Sequence, residues 1–344
     1  MAMATLDPEQ SLFSAGSYFG TQPPPPTLDQ DIASVRSFAH RQRDLGRKVV
    51  LVTSGGTTVP LELNVVRFLD NFSAGTRGAT SAEYFLKAGY AVIFMHRQFS
   101  LQPFSRHYSH STNPFLDFLE IEHNPDKSSN SSNIAVTPSK RDKLLEVLTT
   151  YKSVQQSGLL HTLTFVTVND YLWLLRAVSQ ELSILGRSVL YYLAAAVSDF
   201  FLPRQKMSEH KIQSGKGSLL IEMDQVPKIL KPLVDEWTPD GFIVSFKLET
   251  DPALLVPKAQ AALERYGHHL VIGNNLHRRK YEVVFVSRDH QGSAASGVAI
   301  TWLRISPAAV DARGRAKEIE EDIVAELAKR HQAWIDDLLQ QSFE

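Results

Sequence analysis

The 344-residue sequence predicts a doubly wound α/β fold built on a mostly parallel sheet, and three observations carry that expectation. Short apolar, β-branched runs recur along the chain. Stretches with helical apolar spacing separate them, and the first run, Val49 to Thr53, ends in the glycine turn Ser54-Gly55-Gly56. Strands read as continuous apolar runs when helices cover both faces of a sheet, and glycine at a strand tip lets a ligand touch the backbone.

The elements follow in order. Residues 1–30 carry Asp7, Glu9, Asp29 and the Pro23 to Pro26 run but no Lys or Arg, which predicts a disordered tail and neither a secretory signal nor a transit peptide. Ile32 to Leu45 predicts a helix leading into the strand Lys48 to Thr53. A long loop, Thr57 to Thr76, then separates the first glycines from a helix that Gly75 and Gly78 open and Gly89 stops. Tyr90 to Met95 supplies the next parallel strand and completes a βαβ unit. Residues 97–138 read as an irregular insertion, disordered around 124–138, where Asn124 to Asn133 is polar and of low complexity.

From Lys140 the alternation resumes with helix Lys140 to Gln156, strand Leu163 to Val168, helix Asp170 to Leu185 and strand Val189 to Ala196. Strand Leu219 to Met223, helix Pro227 to Trp237, strand Phe242 to Phe246, helix Ala253 to Tyr266 and strand His269 to Ile272 follow. Glu282 to Ser287 and Ala299 to Ile305 add a late β-hairpin or edge extension. A final helix places Ile319, Ile323, Leu327, Trp334, Ile335 and Leu338 on one apolar stripe, with His331 on that stripe as a packed histidine. The whole predicts a single Rossmann-like α/β domain over residues 31–344, with helices on both faces of the sheet.

Composition limits function. With 36 basic and 37 acidic residues, a net charge of -1 provides no global field for nucleic acid or an anionic membrane. No apolar run is long enough to cross a bilayer, so the expected location is cytoplasmic or nuclear. The absence of cysteine removes disulfides, thiolate metal sites and a cysteine nucleophile. The 12 histidines form no His-Glu-x-x-His set, and neither a Gly-x-Ser-x-Gly elbow nor a Walker lysine motif occurs, so no metal ligand is assigned.

Several segments invite two readings. Ser54-Gly55-Gly56 is either a plain tight turn or half of a phosphate cradle whose other half is Ser73, Gly75 and Gly78 at a helix N-terminus. Arg67, Asp70 and Asn71 are solvated loop residues or a phosphate clasp and a charge-stabilising amide. Ala194 to Ala196, followed by Asp199, permit close helix packing or receive a ligand at a strand's carboxyl end. Lys206 to Gly217 is an exposed basic loop or a lid over the site. Phe246 is core or a platform for a base, and Lys247 is a surface charge or a triphosphate contact.

Taken together, VTSGGTTVPLE, VRFLDNFSAGTRGATSAEYFLKAGY, YYLAAAVSDF, EHKIQSG, SFKLETD and GNNL resemble the phosphopantothenate–cysteine ligase (phosphopantothenoylcysteine synthetase) family of coenzyme A biosynthesis in its free-standing eukaryotic form. The resemblance covers most of residues 45–287. It implies attack of the 4'-phosphopantothenate carboxylate on a nucleotide α-phosphorus, release of pyrophosphate, and displacement of the nucleotide monophosphate by L-cysteine. Carried over, nucleotide contacts fall on Gly55, Ser73, Gly75, Gly78, Phe246 and Asn274, the leucine of GNNL favouring Asn274 over Asn275. Phosphopantothenate contacts fall on Asn71, Ala195, Ala196 and Asp199, with Arg67 reaching across a homodimer. Lys211 and Asn71 carry the catalytic roles. ATP is the implied nucleotide, with CTP, favoured by the bacterial members, still open; Mg2+ would arrive with it. Assembly with other coenzyme A pathway enzymes is a further expectation. An NAD(P)-dependent oxidoreductase fits worse, since His96 and Arg97 stand where a ribose-binding acid belongs and no Tyr-x-x-x-Lys pair is present. A non-catalytic nucleotide-binding scaffold is the other alternative.

Overall fold

A computed structural model of the chain describes residues 14–108, 114–123, 132–288, 297–312 and 314–341. Eight strands form the central sheet: β1 Val49–Ser54, β2 Ala91–Arg97, β3 Leu160–Phe165, β4 Val189–Leu193, β5 Phe242–Glu249, β6 Leu270–Asn275, β7 Glu282–Arg288 and β8 Val298–Arg304. Their order is β3-β2-β1-β4-β5-β6-β7-β8. The first six are mutually parallel, while β7 and β8 run antiparallel as the late edge hairpin. The sheet therefore reverses its winding between β1 and β4, where a doubly wound sheet opens a crevice at its carboxyl edge.

Alternation along β1 shows why both faces are covered. Val49 and Leu51 join one core with Val35 and Phe38 of helix α2 (Leu28–Asp44), whereas Val50 and Val52 join the other with Ala82 and Phe85. Those last two lie on α3 (Thr76–Lys87), which packs beside the C-terminal helix Ile319–Gln341. On that helix Ile319, Ile323, Leu327 and His331 are buried as the spacing predicts; the side chain of Leu338 lies outside the described residues. No helix among the described residues is long and apolar enough to cross a membrane.

Several expectations need correction. Of the tail, residues 1–13 lie outside the described residues, but Ala15–Thr21 is a helix, α1, capped by Ser14, and Tyr18 is wholly buried against Phe201 with its hydroxyl donating to Asn169. An aromatic anchor, not composition, decides the state of that segment. In the insertion, residues 109–113 and 124–131 lie outside the described residues, while Leu119–His123 and Ser132–Val136 pair as a hairpin. Leu219 to Met223 is not a strand: Leu220 is exposed, and the pairing there is Asp224–Gln225 with Phe200–Phe201, cut short because Pro203 donates no hydrogen bond. The helix expected from Pro227 starts at Leu230 and widens to a π turn over Leu233–Trp237. The third strand sits earlier than expected because Thr167 and Asp170 form a capping box that starts the next helix at Val168.

Candidate functional site

The site grows from the tip of β1. Gly55 takes φ +85°, and a Cβ there would meet Arg97 Cβ at 2.8 Å; Gly56 passes so close to the returning loop that a Cβ would lie 1.6 Å from the Asn71 carbonyl oxygen. Neither position tolerates a side chain. The amide of Asn71 donates to Thr57 O at 3.1 Å, so the long loop folds back onto the strand that launched it.

Ser54 joins the two glycine bends. Its Oγ donates to Gly75 O at 3.0 Å, and a Cβ on Gly78 would fall 2.4 Å from it. Gly75, left-handed at φ 82°, is the N-cap of α3, and no side chain caps that helix. The contrast with the Thr167 capping box is chemical: there a side chain fills the N-terminal amides, whereas at α3 no side chain does. Ser73 adds a hydroxyl at the same bend, accepting a long 3.4 Å bond from Gly75 N.

Across the winding reversal, β4 delivers the alanines. Ala196 N donates to Gly55 O at 2.8 Å and Ala196 O accepts from Thr57 N at 3.0 Å. Ala195 N donates to Thr53 Oγ1 at 3.2 Å, and Ser198 N to Thr57 Oγ1 at 2.9 Å. Asp199 ends this turn with an exposed side chain, its carbonyl accepting from Val226 N. Gly55, Gly75, Gly78, Asn71, Ala195 and Ala196 are thus brought together at one crevice.

Asn274 and Phe246 join from β6 and β5. Asn274 Oδ1 accepts from Arg77 of α3 at 3.4 Å; Arg77 also pairs with Glu320 at 2.8 Å. Burial pushes the Glu320 carboxyl up, while Arg77 pulls against that shift. Phe246 is half-buried, edge-on to Tyr192 at 4.9 Å, and Tyr192 shares a hydrogen bond with Ser81 of α3. Lys247 lies 3.5 Å from Glu249.

The loop carrying Arg67 and the segment carrying Lys211 meet at a second junction. Buried Glu62 accepts from Arg67 N at 3.0 Å and from an Arg67 terminal nitrogen at 2.8 Å; the same guanidinium nitrogen donates to Ile212 O at 3.1 Å. Burial pushes the Glu62 carboxyl up, but the amides of Arg67 and Ile212 and the guanidinium outweigh it and hold it below the usual carboxylate range. Lys211, next to Ile212, is exposed. Reasoning from sequence missed Glu62 as a ligand of this loop, and missed Arg77, Ser54 and Thr57 as supports.

A profile of the family described as DNA/pantothenate metabolism flavoprotein C-terminal domain matches residues 45–113 and 151–296. The human phosphopantothenate–cysteine ligase is 44% identical over 315 residues, covering 92% of this chain and 96% of its own length. The chain belongs to the phosphopantothenate–cysteine ligases. Yeast Cab2, a ligase of that name, is 43% identical over 92% of this chain and 86% of its own. The structure of a histidine-to-alanine Cab2 variant in complex with phosphopantothenate-cysteine superposes with a TM-score of 0.80 at 43% identity, covering 93% of this chain and 98% of that one. Membership makes the chain a C–N bond-forming ligase, and the family profile passes over 114–150, where the hairpin insertion lies.

Proposed function

We propose that the chain joins 4'-phosphopantothenate to L-cysteine with ATP, through an acyl-adenylate, as a step of coenzyme A biosynthesis. One observation carries the reading: two glycine bends, tied by Ser54, border an uncapped helix N-terminus at the reversal between β1 and β4. Backbone amides there would bind triphosphate oxygens and hold the α-phosphorus in line with an incoming carboxylate.

In the first half-reaction a carboxylate oxygen attacks the α-phosphorus and the bond to pyrophosphate breaks. In the second, the deprotonated cysteine amine attacks the acyl carbon, and AMP leaves with the electrons of the acyl–oxygen bond. No protein nucleophile is needed. Gly55, Ser73, Gly75, Gly78, Phe246 and Asn274 would hold the nucleotide. Ala195, Ala196 and Asp199 would hold phosphopantothenate, with the Asn71 amide on the acyl intermediate and Lys211 neutralising developing charge. Mg2+ would enter with the triphosphate, kept by phosphate oxygens and water; among the described residues no group of three His, Asp or Glu side chains could cage it. Arg67 would reach phosphopantothenate across a homodimer, and its other terminal nitrogen makes no hydrogen bond among the described residues.

The test is pyrophosphate release with phosphopantothenate, L-cysteine and either ATP or CTP. Release dependent on phosphopantothenate and faster with ATP is expected. Release of ADP and phosphate instead, or none with either nucleotide, contradicts the proposal.

A further inference from the structure

Glu62 has no role in the chemistry above, yet it is wholly buried and ionised in a loop whose neighbours Val65 and Val66 are exposed. A carboxylate is costly to bury unless its oxygens are satisfied. Here the two oxygens accept from different donors. Oε2 accepts from the amides of Arg67 at 3.0 Å and Val66 at 3.4 Å, in its own loop. Oε1 accepts from the Arg67 guanidinium at 2.8 Å and from the Ile212 amide at 3.4 Å.

The backbone continues the link. Leu63 N donates to Ser208 O at 2.9 Å and Asn64 N to Glu209 O at 3.1 Å, laying residues 208–212 alongside 62–64. Arg67 closes the junction by donating to Ile212 O, on the carboxyl side of Lys211. Besides this junction the loop is held at its start by Lys206, whose Nζ donates to Asp224 at 2.8 Å, and by a 3.4 Å contact between His210 and Asn64, while Glu209, His210 and Lys211 are exposed.

We propose that Glu62 is a positioning residue that fastens the Lys206–Gly217 loop, and with it Lys211, to the loop that carries Arg67 and Asn71. Its effect on turnover rests on the reading of Lys211 above; its effect on the loop does not. Glutamine cannot replace it, because an amide offers an acceptor on one side only and would face donors on the other. Either the Arg67 and Val66 amides or the Ile212 amide and guanidinium would lose their partner.

Hydrogen exchange of the full-length chain without substrates tests the clamp directly. In Glu62→Gln, uptake by the peptide spanning Lys206–Gly217 is expected to quicken by about tenfold or more, while peptides from β1 and β4 keep wild-type protection. In the ligase assay, Glu62→Gln is expected to lower kcat by about tenfold in the wild-type background but by less than about twofold beside Lys211→Ala. Unchanged loop exchange, or kcat losses that multiply independently, overturns the proposal. If Glu62→Gln fails to fold, Arg67→Met removes the guanidinium and leaves Glu62 its backbone donors; it must loosen the same peptide, and unchanged exchange there likewise overturns it. A wild-type chain without ligase activity but with a Glu62-dependent loop would defeat the functional reading and leave the clamp standing.

Discussion

Gly78 shows how narrowly single residues define the cradle. A methyl group there would overlap Ser54 Cβ and Oγ, both 2.4 Å away, and Ser54 is buried and bonded to Gly75. Gly78→Ala is therefore expected to cost about 1–3 kcal/mol of stability and to weaken ATP binding, with Ser54→Gly restoring part of the stability. Chemical denaturation of the single and double variants checks this. Asn71→Ala should abolish ligation while leaving the melting temperature near that of the wild type, because the amide of Asn71, not its side chain, makes the bond to Thr57. The glycine bends themselves were legible in the sequence, although Ser54-Gly55-Gly56 alone reads equally as a plain tight turn. Glu62 and Arg77 were not: Ile212 and Glu320 lie far away in the chain, and Glu62 with Arg67 sits five residues apart in a loop, where no helical or strand spacing marks the pair.

At the scale of elements, the C-terminal helix is bound to the sheet by groups whose charge state matters. His331 Nε2 donates to Arg187 O at 2.8 Å, and because burial keeps the ring neutral, Nδ1 accepts from Tyr90 OH at 2.9 Å. Burial pushes its pKa down to about 4. The unfolded chain then binds a proton that the folded one refuses between about pH 6.5 and 4. Stability from this group is complete above pH 6.5 and lost as pH falls toward 4, by roughly 3 kcal/mol. His268, bonded to Ser245 and also brought to about 4 by burial, acts in the same direction. Denaturant midpoints measured from pH 7 to 4 should fall, and His331→Gln should flatten the slope. A second joint, Arg77 with Glu320, ties α3 to this helix. Arg77→Leu leaves Glu320 buried without its cation and should cost about 3–5 kcal/mol, most of it recovered by adding Glu320→Leu. Element boundaries were less legible than element identity. The Thr167 and Asp170 capping box stood in the sequence unread, and Leu219-Leu220 imitated a strand with no partner edge to complete it.

Across the whole molecule, sequence reasoning works where long-range structure follows from local pattern. Apolar runs such as Val49 to Val52 and Leu190 to Tyr192 are buried on both sides, so their doubly wound sheet could be read residue by residue. The strand order could not, because pairing depends on contacts that no single run contains. That order places Gly55 beside Ala196, and this juxtaposition makes one crevice of motifs distant in sequence. If Arg67 also acts across a dimer, Arg67→Ala and Asn71→Ala chains mixed together should regain activity in heterodimers, whereas action within one chain leaves the mixture inactive. The central chemical claim is that this crevice directs a carboxylate onto the α-phosphorus of ATP. Its most direct test is turnover with phosphopantothenate labelled with oxygen-18 in the carboxyl group. Label recovered in the phosphate of AMP is the expected result; unlabelled AMP, or label in inorganic phosphate with ADP as product, would contradict it.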